Sequence, residues 1–341
     1  MCCFREQGRS YPMDRLLKRG IKISHLRLAE ALMREQQLSS AARVMGIAQP
    51  AASRLASEVE RIIGAPLYTR AGRGIELTAE GLALARRARR ILHEISDADR
   101  EITELKSGLT GKVSIGAVTG PAIEHVLPAL RQARIALPNV QIDVEVGTSD
   151  TLGPMLQSGR LDFALARLPT GADPSTFNMT VVSKEPLSIV GRHGHPVLQR
   201  KDHAPQSAVP VADLLKYDWV MPDAGAILHN TVSQALGRRG LPLPERVLRT
   251  SSFLLVLATI SQTNAVAPVA TSVAQTFTSY QGDDMGVPDT AGFVQIIKTD
   301  IDFEVEDYGL ITRAGGALTP VAQSVLRLLC DGIGISPPTI A

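Results

Sequence analysis

Cysteine is scarce: Cys2, Cys3 and Cys330 are the whole supply in 341 residues, and no two are spaced as CxxC. That argues against a disulfide framework or a cysteine zinc site and suits a reducing compartment. Long apolar runs are missing too. The longest stretches, such as residues 253–260, fall far short of the roughly 20 residues that cross a bilayer, so no membrane partner is expected. Arg5, Glu6, Arg9, Asp14 and Arg15 interrupt any apolar segment a secretory signal would need. The chain therefore reads as cytoplasmic, with Met13 as an alternative start after twelve residues without pattern. Catalytic signatures are equally thin. There is no HExxH, no GxSxG, no P-loop and no strand-to-helix GxGxxG, and His193-Gly194-His195-Pro196 lacks a third metal ligand. No enzyme activity, metal or cofactor is expected.

What is present is a globular composition, 44% apolar and 21% charged, in a chain too long for one ordinary core. A small domain joined to a larger, divided one is the expectation. The net charge of +2 hides a split: residues 1–106 hold 19 Lys and Arg against 13 Asp and Glu, a net of +6, and the remainder holds 17 against 21, a net of −4. Only the front end suits a polyanion such as nucleic acid, a solvated basic face being the alternative.

Leu26, Leu28, Ala29, Leu32 and Met33 recur at helical spacing after Ser24, a suitable N-cap, which predicts a helix over 25–37. Ser39 or Ser40 caps a short second helix through Met45, and Gly46 breaks it. Residues 49–63 make a third helix with Pro50 in its first turn, where a missing N–H costs nothing. Helix, glycine turn, helix is the helix-turn-helix unit. Leu55, Val59, Ile62 and Ile63 form the expected packing face of the third helix. Gln49, Ser53, Arg54 and Ser57 are left to reach base edges and phosphates from a major groove, or to stand as ordinary surface. Leu67-Tyr68-Thr69-Arg70 and Ile75-Glu76-Leu77 flank Ala71-Gly72-Arg73-Gly74 and read as a two-stranded wing, with Arg70 and Arg73 near the phosphate backbone.

Four fragments and one residue, in this order and spacing, resemble the DNA-binding half of LysR-type transcriptional regulators. They are Ser39-Ser40-Ala41-Ala42, Gln49-Pro50-Ala51-Ala52-Ser53-Arg54, Glu60, Gly64-Ala65-Pro66-Leu67-Tyr68-Thr69-Arg70 and Leu77-Thr78-Ala79-Glu80-Gly81. The resemblance implies a winged helix-turn-helix whose Gln49-Pro50 helix enters the major groove, with Ser39, Gln49, Pro50, Ser53 and Arg54 at the DNA and Arg70 on its backbone. Tyr68 stands where the family usually has phenylalanine, and Leu55 where a polar residue is common.

Thr78 can cap a further helix, in which helix formers run without proline to about Lys106. Leu84, Ala88, Ile91, Ile95, Ala98, Ile102 and Leu105 recur at alternating steps of four and three, the seam of a coiled coil. Such a seam wants a second helix or the chain's own C-terminal domain. The LysR resemblance favours a homodimer here, with Arg86, Arg87, Arg89 and Arg90 outside the seam. A dimer suits double-stranded DNA with a two-fold operator, and dimers of dimers (a homotetramer) are a further expectation.

From Gly111 the period changes. Strand patterns over 113–118, 140–146 and 161–168 alternate with helical ones, which predicts an α/β domain with largely parallel sheets. Later strands are expected at 187–190, 219–221, 247–251, 265–269, 293–298 and 308–312, and a last helix over 320–330. Pro128, Pro138-Asn139, Ser158-Gly159-Arg160-Leu161-Asp162 and His195-Pro196 resemble recurrent positions of the LysR effector domain. That implies a two-lobed, periplasmic-binding-protein-like (type 2) fold. The expected organisation is an N-terminal extension (1–23), an all-α winged helix-turn-helix (24–78), a linker and dimerisation helix (79–108) and an α/β effector domain (109–341). Lobe I would take about 109–184 and 290–334 and lobe II about 185–289, with crossings near 182–187 and near 289–293.

Ligands of such lobes sit at the carboxyl ends of strands. Thr119, Gly120, Thr148, Ser149 and Arg167 are thus candidate effector residues, and the resemblance adds Pro222, Asp223 and Ala267 from the second lobe. The three hydroxyls can equally be helix caps. Arg167 suits a carboxylate. Alternatively Asp223 and Asn264 hydrogen-bond sugar hydroxyls with Trp219 stacked on a pyranose face, or Trp219 lies in the core. Some details resemble regulators of sugar-binding-protein genes within the family. The expected function is a sequence-specific, DNA-binding transcriptional regulator modulated by a small-molecule effector, an organic acid or a sugar. A solute-binding protein or a small-molecule enzyme of the same fold is the alternative.

Overall fold

The computed structural model describes residues 15–72, 74–107, 110–199, 207–278 and 294–338. Arg73, the extension before residue 15 with Met13, the crossing expected near 289–293 and the Leu105 side chain lie outside the described residues. Two compact units, Met1–Lys106 and Ser107–Ala341, divide the chain.

The first unit runs α1 (Arg15–Lys18), α2 (Ile23–Glu35), α3 (Leu38–Val44), α4 (Gln49–Ile63), β1 (Tyr68–Ala71), β2 (Gly74–Leu77) and α5 (Ala79–Ser107). Two caps differ from expectation. Lys22, not Ser24, is the N-cap of α2, because His25 Nδ1 accepts the Lys22 backbone N–H at 3.1 Å. Gln37, in extended conformation, precedes α3, so Ser39 and Ser40 lie inside its first turn rather than capping it. Leu28 and Leu32 of α2, Ala41 and Ala42 of α3, and Ala52, Ala56 and Val59 of α4 close the core with Leu67. The small alanines let the three helices approach closely. β1 and β2 pair antiparallel from Tyr68–Leu77 to Ala71–Gly74, and the Ile75 N–H donates to the Gln36 carbonyl at 2.9 Å, tying the wing to the turn after α2.

The second unit opens with β3 (Gly111–Ala117), α6 (Thr119–Pro121), a π turn (Ala122–Val126), α7 (Leu127–Ala136), β4 (Val140–Val146), α8 (Ser149–Gln157) and β5 (Phe163–Ala166). It continues through β6 (Phe177–Gly191), α9 (Val211–Leu214), β7 (Trp219–Met221), α10 (Ile227–Arg238), β8 (Val247–Arg249), α11 (Phe253–Gln262), β9 (Ala267–Ala270) and α12 (Thr271–Thr278). β10 (Gln295–Ile297), β11 (Phe303–Arg313) and α13 (Pro320–Ile333) complete it.

Among the described residues the main sheet has the order β10-β6-β11-β5-β3-β4, with β9 also on β6. Among the described strand pairs β3–β4, β3–β5 and β7–β8 are parallel, while the partners of β6 and β11 are antiparallel. The expected largely parallel sheet is thus a mixed one. The cause is topological: β6 carries the chain out of one lobe and β11 brings it back, so the two run side by side in opposite directions. The start of β6 and the end of β11 lie by the core of Val113, Phe163, Leu310 and Leu329, and the end of β6 and the start of β11 by the core of Leu187, Trp219, Val232 and Phe303. β10 pairs with residues 189–191 of β6, and among the described residues the return passage is carried by β11, which runs along β6 from Leu187 back to Phe177. Register shifts between Val305 and Gly309 mark where β11 bends.

Candidate DNA-binding face and effector cleft

α4 has two faces. Ala52, Ala56, Val59 and Ile62 are buried, with Leu55 and Ile63 only half-buried, so the packed face is turned by about one position from the expected one. Gln49, Pro50, Ser53, Arg54 and Ser57 are all exposed, as are Ser39 on α3 and Arg70 on β1. The helix is held from behind. Glu58 meets the buried His25 ring at 3.1 Å, and Glu60 accepts the Leu67 N–H at 2.9 Å, locking α4 to the start of the wing. Arg54 has neither hydrogen bond nor ion pair among the described residues, which leaves its guanidinium free to meet an outside acceptor.

The α5 seam divides in two. Ala88 is fully buried with Ala85 against Leu26 and Ala29 of α2, and Leu84 packs there partly. These two residues therefore face their own unit and not a second copy, because small side chains let α2 lie flush on α5. Ile91, Ile95 and Ile102 are 44%, 48% and 52% exposed, and Ala98 is exposed with them.

In the second unit the strand ends converge with the crossing strands. Thr119 is exposed after β3, and Gly120 is buried, its carbonyl accepting from Ser272 Oγ at 3.4 Å. Thr148 caps α8 by accepting the Thr151 N–H, at 3.3 Å. Ser149 Oγ accepts the Arg167 N–H at 3.0 Å. Arg167 is buried. One terminal N–H donates to Glu185 Oε2 at 2.8 Å and Nε–H donates to the Glu306 carbonyl at 2.9 Å, so the cation expected to wait for a ligand already has an anion. Sequence reasoning missed Glu185, and it missed the neighbouring contact of 2.7 Å between His125 on the π turn and the Tyr308 hydroxyl. Burial disfavours the charged form of both partners: it lowers the imidazole against the pull of Glu124 and raises the phenol.

Lobe II corrects one expectation and decides between the two readings of another residue. Ala267 is fully buried in β9 opposite Val190, so it is a core residue. Trp219 is fully buried and its indole N–H donates to the Leu214 carbonyl at 3.1 Å, so it offers no stacking face. Asn264 Oδ1 is taken by Arg192 Nε–H at 2.8 Å. Asp223 stays exposed and Pro222 half-buried. His195 is buried, bonded to the Asn264 carbonyl and to the Val197 N–H.

A winged helix-turn-helix with one free polar face, in the same chain as a two-lobed α/β unit whose polar strand ends converge, defines a DNA-binding regulator with a sensor domain. Residues 23–82 match the family described as "Bacterial regulatory helix-turn-helix protein, lysR family", and residues 106–332 match the "LysR substrate binding domain". The chain belongs to the LysR family of transcriptional regulators, and it is not an enzyme. It is 42% identical over 268 residues to the HTH-type transcriptional regulator GbpR of Rhizobium radiobacter, covering 78% of this chain and 86% of that one. It is 34% identical to GbpR of Azospirillum brasilense, covering 94% and 89%. A full-length OxyR variant from Pseudomonas aeruginosa shares the fold with a TM-score of 0.58 at 17% identity, covering 94% and 96%. Full-length CbnR in complex with its target DNA does so at 0.56 and 18%, covering 92% and 100%. Among the described residues no helix is long and apolar enough to cross a membrane.

Proposed function

We propose that α4 reads the operator, that α5 is the dimer seam, and that the effector sits between the lobes of the second unit, all in the cytoplasm where the DNA is. The observation that carries the first assignment is the division of α4, one face sealed in the core and the other presenting Gln49, Ser53 and Arg54 unengaged. These types hydrogen-bond base edges, whereas Ser39 and Arg70 serve phosphates. Binding to promoter DNA should fall steeply with salt, by a log–log slope of about −0.9 per neutralised phosphate. Arg54→Ala is expected to cost about 1–3 kcal/mol on the operator and little on random duplex, while Arg70→Ala weakens both alike. Fluorescence anisotropy on the two duplexes checks this, and equal losses for Arg54→Ala would remove α4 from the readout.

The seam is supported by charge as well as by Ile91, Ile95 and Ile102. Arg86, Arg87, Arg89 and Arg90 fill the first half of α5, and Glu94, Asp97, Asp99, Glu101 and Glu104 the second. An antiparallel partner sets each basic half beside an acidic one, whereas a parallel partner stacks like charges. Ile95→Asp should therefore lower the mass seen by light scattering to that of one chain at micromolar concentration. A mass unchanged by that buried charge would take the seam elsewhere. Ile135 on α7 and Val144 and Val146 on the edge strand β4 are exposed apolar residues that support pairing of dimers into tetramers.

The effector reading rests on the convergence of Thr119, Ser149 and the crossing strands. A thermal-shift screen of small acids and sugars tests it, since a ligand of the native state raises the melting temperature.

A further inference from the structure

The Arg167–Glu185 ion pair lies where three parts of the second unit meet. Arg167 follows β5, Glu185 sits on β6 opposite Val305 of β11, and the Glu306 carbonyl takes a second N–H of the guanidinium. The two side chains are only 9% and 8% exposed. A third element presses on the same carboxylate: a Cβ on Gly120 would overlap Glu185 Oε1, so the start of α6 is bare at that point and fits directly over it. The guanidinium also lies 6.0 Å from the centre of the Tyr308 ring.

We propose that Glu185 is a built-in counter-ion, holding the place at Arg167 that a carboxylate ligand would seek, and that it thereby sets the cleft against anionic effectors and in favour of uncharged, hydroxyl-bearing ones. A guanidinium at a strand end is the group best shaped for a carboxylate. Here the protein supplies that carboxylate itself. An incoming anion must either displace Glu185, leaving it buried without a partner, or lie beside it as a like charge in a poorly solvated site. Glu124 adds to the same negative field, since both it and Glu185 act on Tyr308. An uncharged ligand meets neither obstacle and still finds the exposed Thr119 hydroxyl. Glu185 is thus a specificity-determining residue that acts through Arg167, while Arg167 itself holds the crossing strands to lobe I.

This inference rests on the reading that effectors enter between the lobes, but its test uses a probe that does not depend on knowing them. Full-length protein is melted in graded sodium acetate against sodium chloride of equal ionic strength. Wild-type protein should show no acetate-specific shift. E185A should melt about 5–10 °C lower, because a buried guanidinium is left uncompensated, and acetate filling the vacated place should return about 2–4 °C. The double variant R167M/E185A should not respond to acetate. An acetate-specific rise in the wild type overturns the proposal, because Arg167 is then open to external carboxylates. Failure of acetate to stabilise folded E185A overturns it as well. If E185A does not fold, E185S in the same titration and the wild-type arm decide. Failure of the effector reading looks different: no screened acid or sugar stabilises the wild type, while rescue of E185A by acetate persists.

Discussion

Gly81→Ala is expected to disable DNA binding while leaving the second unit folded. Gly81 lies in the first turn of α5, and a Cβ there would overlap the Leu67 carbonyl oxygen. That carbonyl cannot yield, because it is the point where helix and wing are joined. It accepts the Thr78 N–H at 3.2 Å, the Thr78 hydroxyl bonds the Pro66 carbonyl at 2.7 Å, and the same hydroxyl accepts the Gly81 N–H at 3.0 Å. Two effects oppose each other. Alanine gains about 1 kcal/mol over glycine in helix propensity, but overpacking against fixed backbone costs about 3 kcal/mol, the upper part of its usual range. The clash wins. Gly237, near the end of α10, supplies the contrast: its Cβ would meet nothing within 4 Å and its φ is not positive, so Gly237→Ala should stabilise by about 0.5–1 kcal/mol. Calorimetry should show the transition of the DNA-binding unit falling for Gly81→Ala with that of the other unit in place, and operator affinity down at least about tenfold. Wild-type melting and binding for Gly81→Ala would mean that the helix start and the wing are not joined through Leu67.

The legible parts of this chain are those where local period and chemistry agree. α4 was readable because Pro50 fixes its first turn and its polar residues recur on one face. The α5 seam was readable as a face but not as an interface. Period shows that Ala88 and Ile95 lie on one stripe, yet only packing shows that Ala88 spends its side on α2 and Ile95 does not. Arg167 stood out as a cation at a strand end, whereas Glu185, 18 residues on, did not. Their pairing depends on β11 lying between β5 and β6 and setting Glu185 within reach of the end of β5, and no local pattern encodes a meeting of that kind. The continuity of β6 was hidden for a simpler reason, since Ser183-Lys184-Glu185-Pro186 at its middle is polar and ends in a residue that cannot donate to a ladder. The resemblance places Ala267 in the cleft, and its full burial in β9 removes it, whereas Asn264 stays exposed with its Oδ1 on Arg192.

Trp219 is the residue on which the sequence left two readings, and its replacement has the largest expected cost. The side chain is fully buried among Leu187, Ile189, Leu214, Val232, Leu236 and Val266. Trp219→Ala should destabilise the second unit by about 3–5 kcal/mol through the cavity it opens, and the Leu214 carbonyl loses its donor besides. Trp219→Phe keeps most of the volume and loses only the hydrogen bond and part of the ring, so about 1–2 kcal/mol is expected. Urea unfolding followed by circular dichroism checks the order of the two variants. Because this is the single tryptophan of the chain, wild-type fluorescence gives a second test. A core indole should emit at short wavelength, resist acrylamide, and shift red only when lobe II unfolds. A platform at the ligand site would instead be quenched readily in the free protein and protected by a bound ligand. Easy quenching of native Trp219, or a Trp219→Ala variant as stable as wild type, would move the indole out of the core and reopen the cleft to a stacked ring.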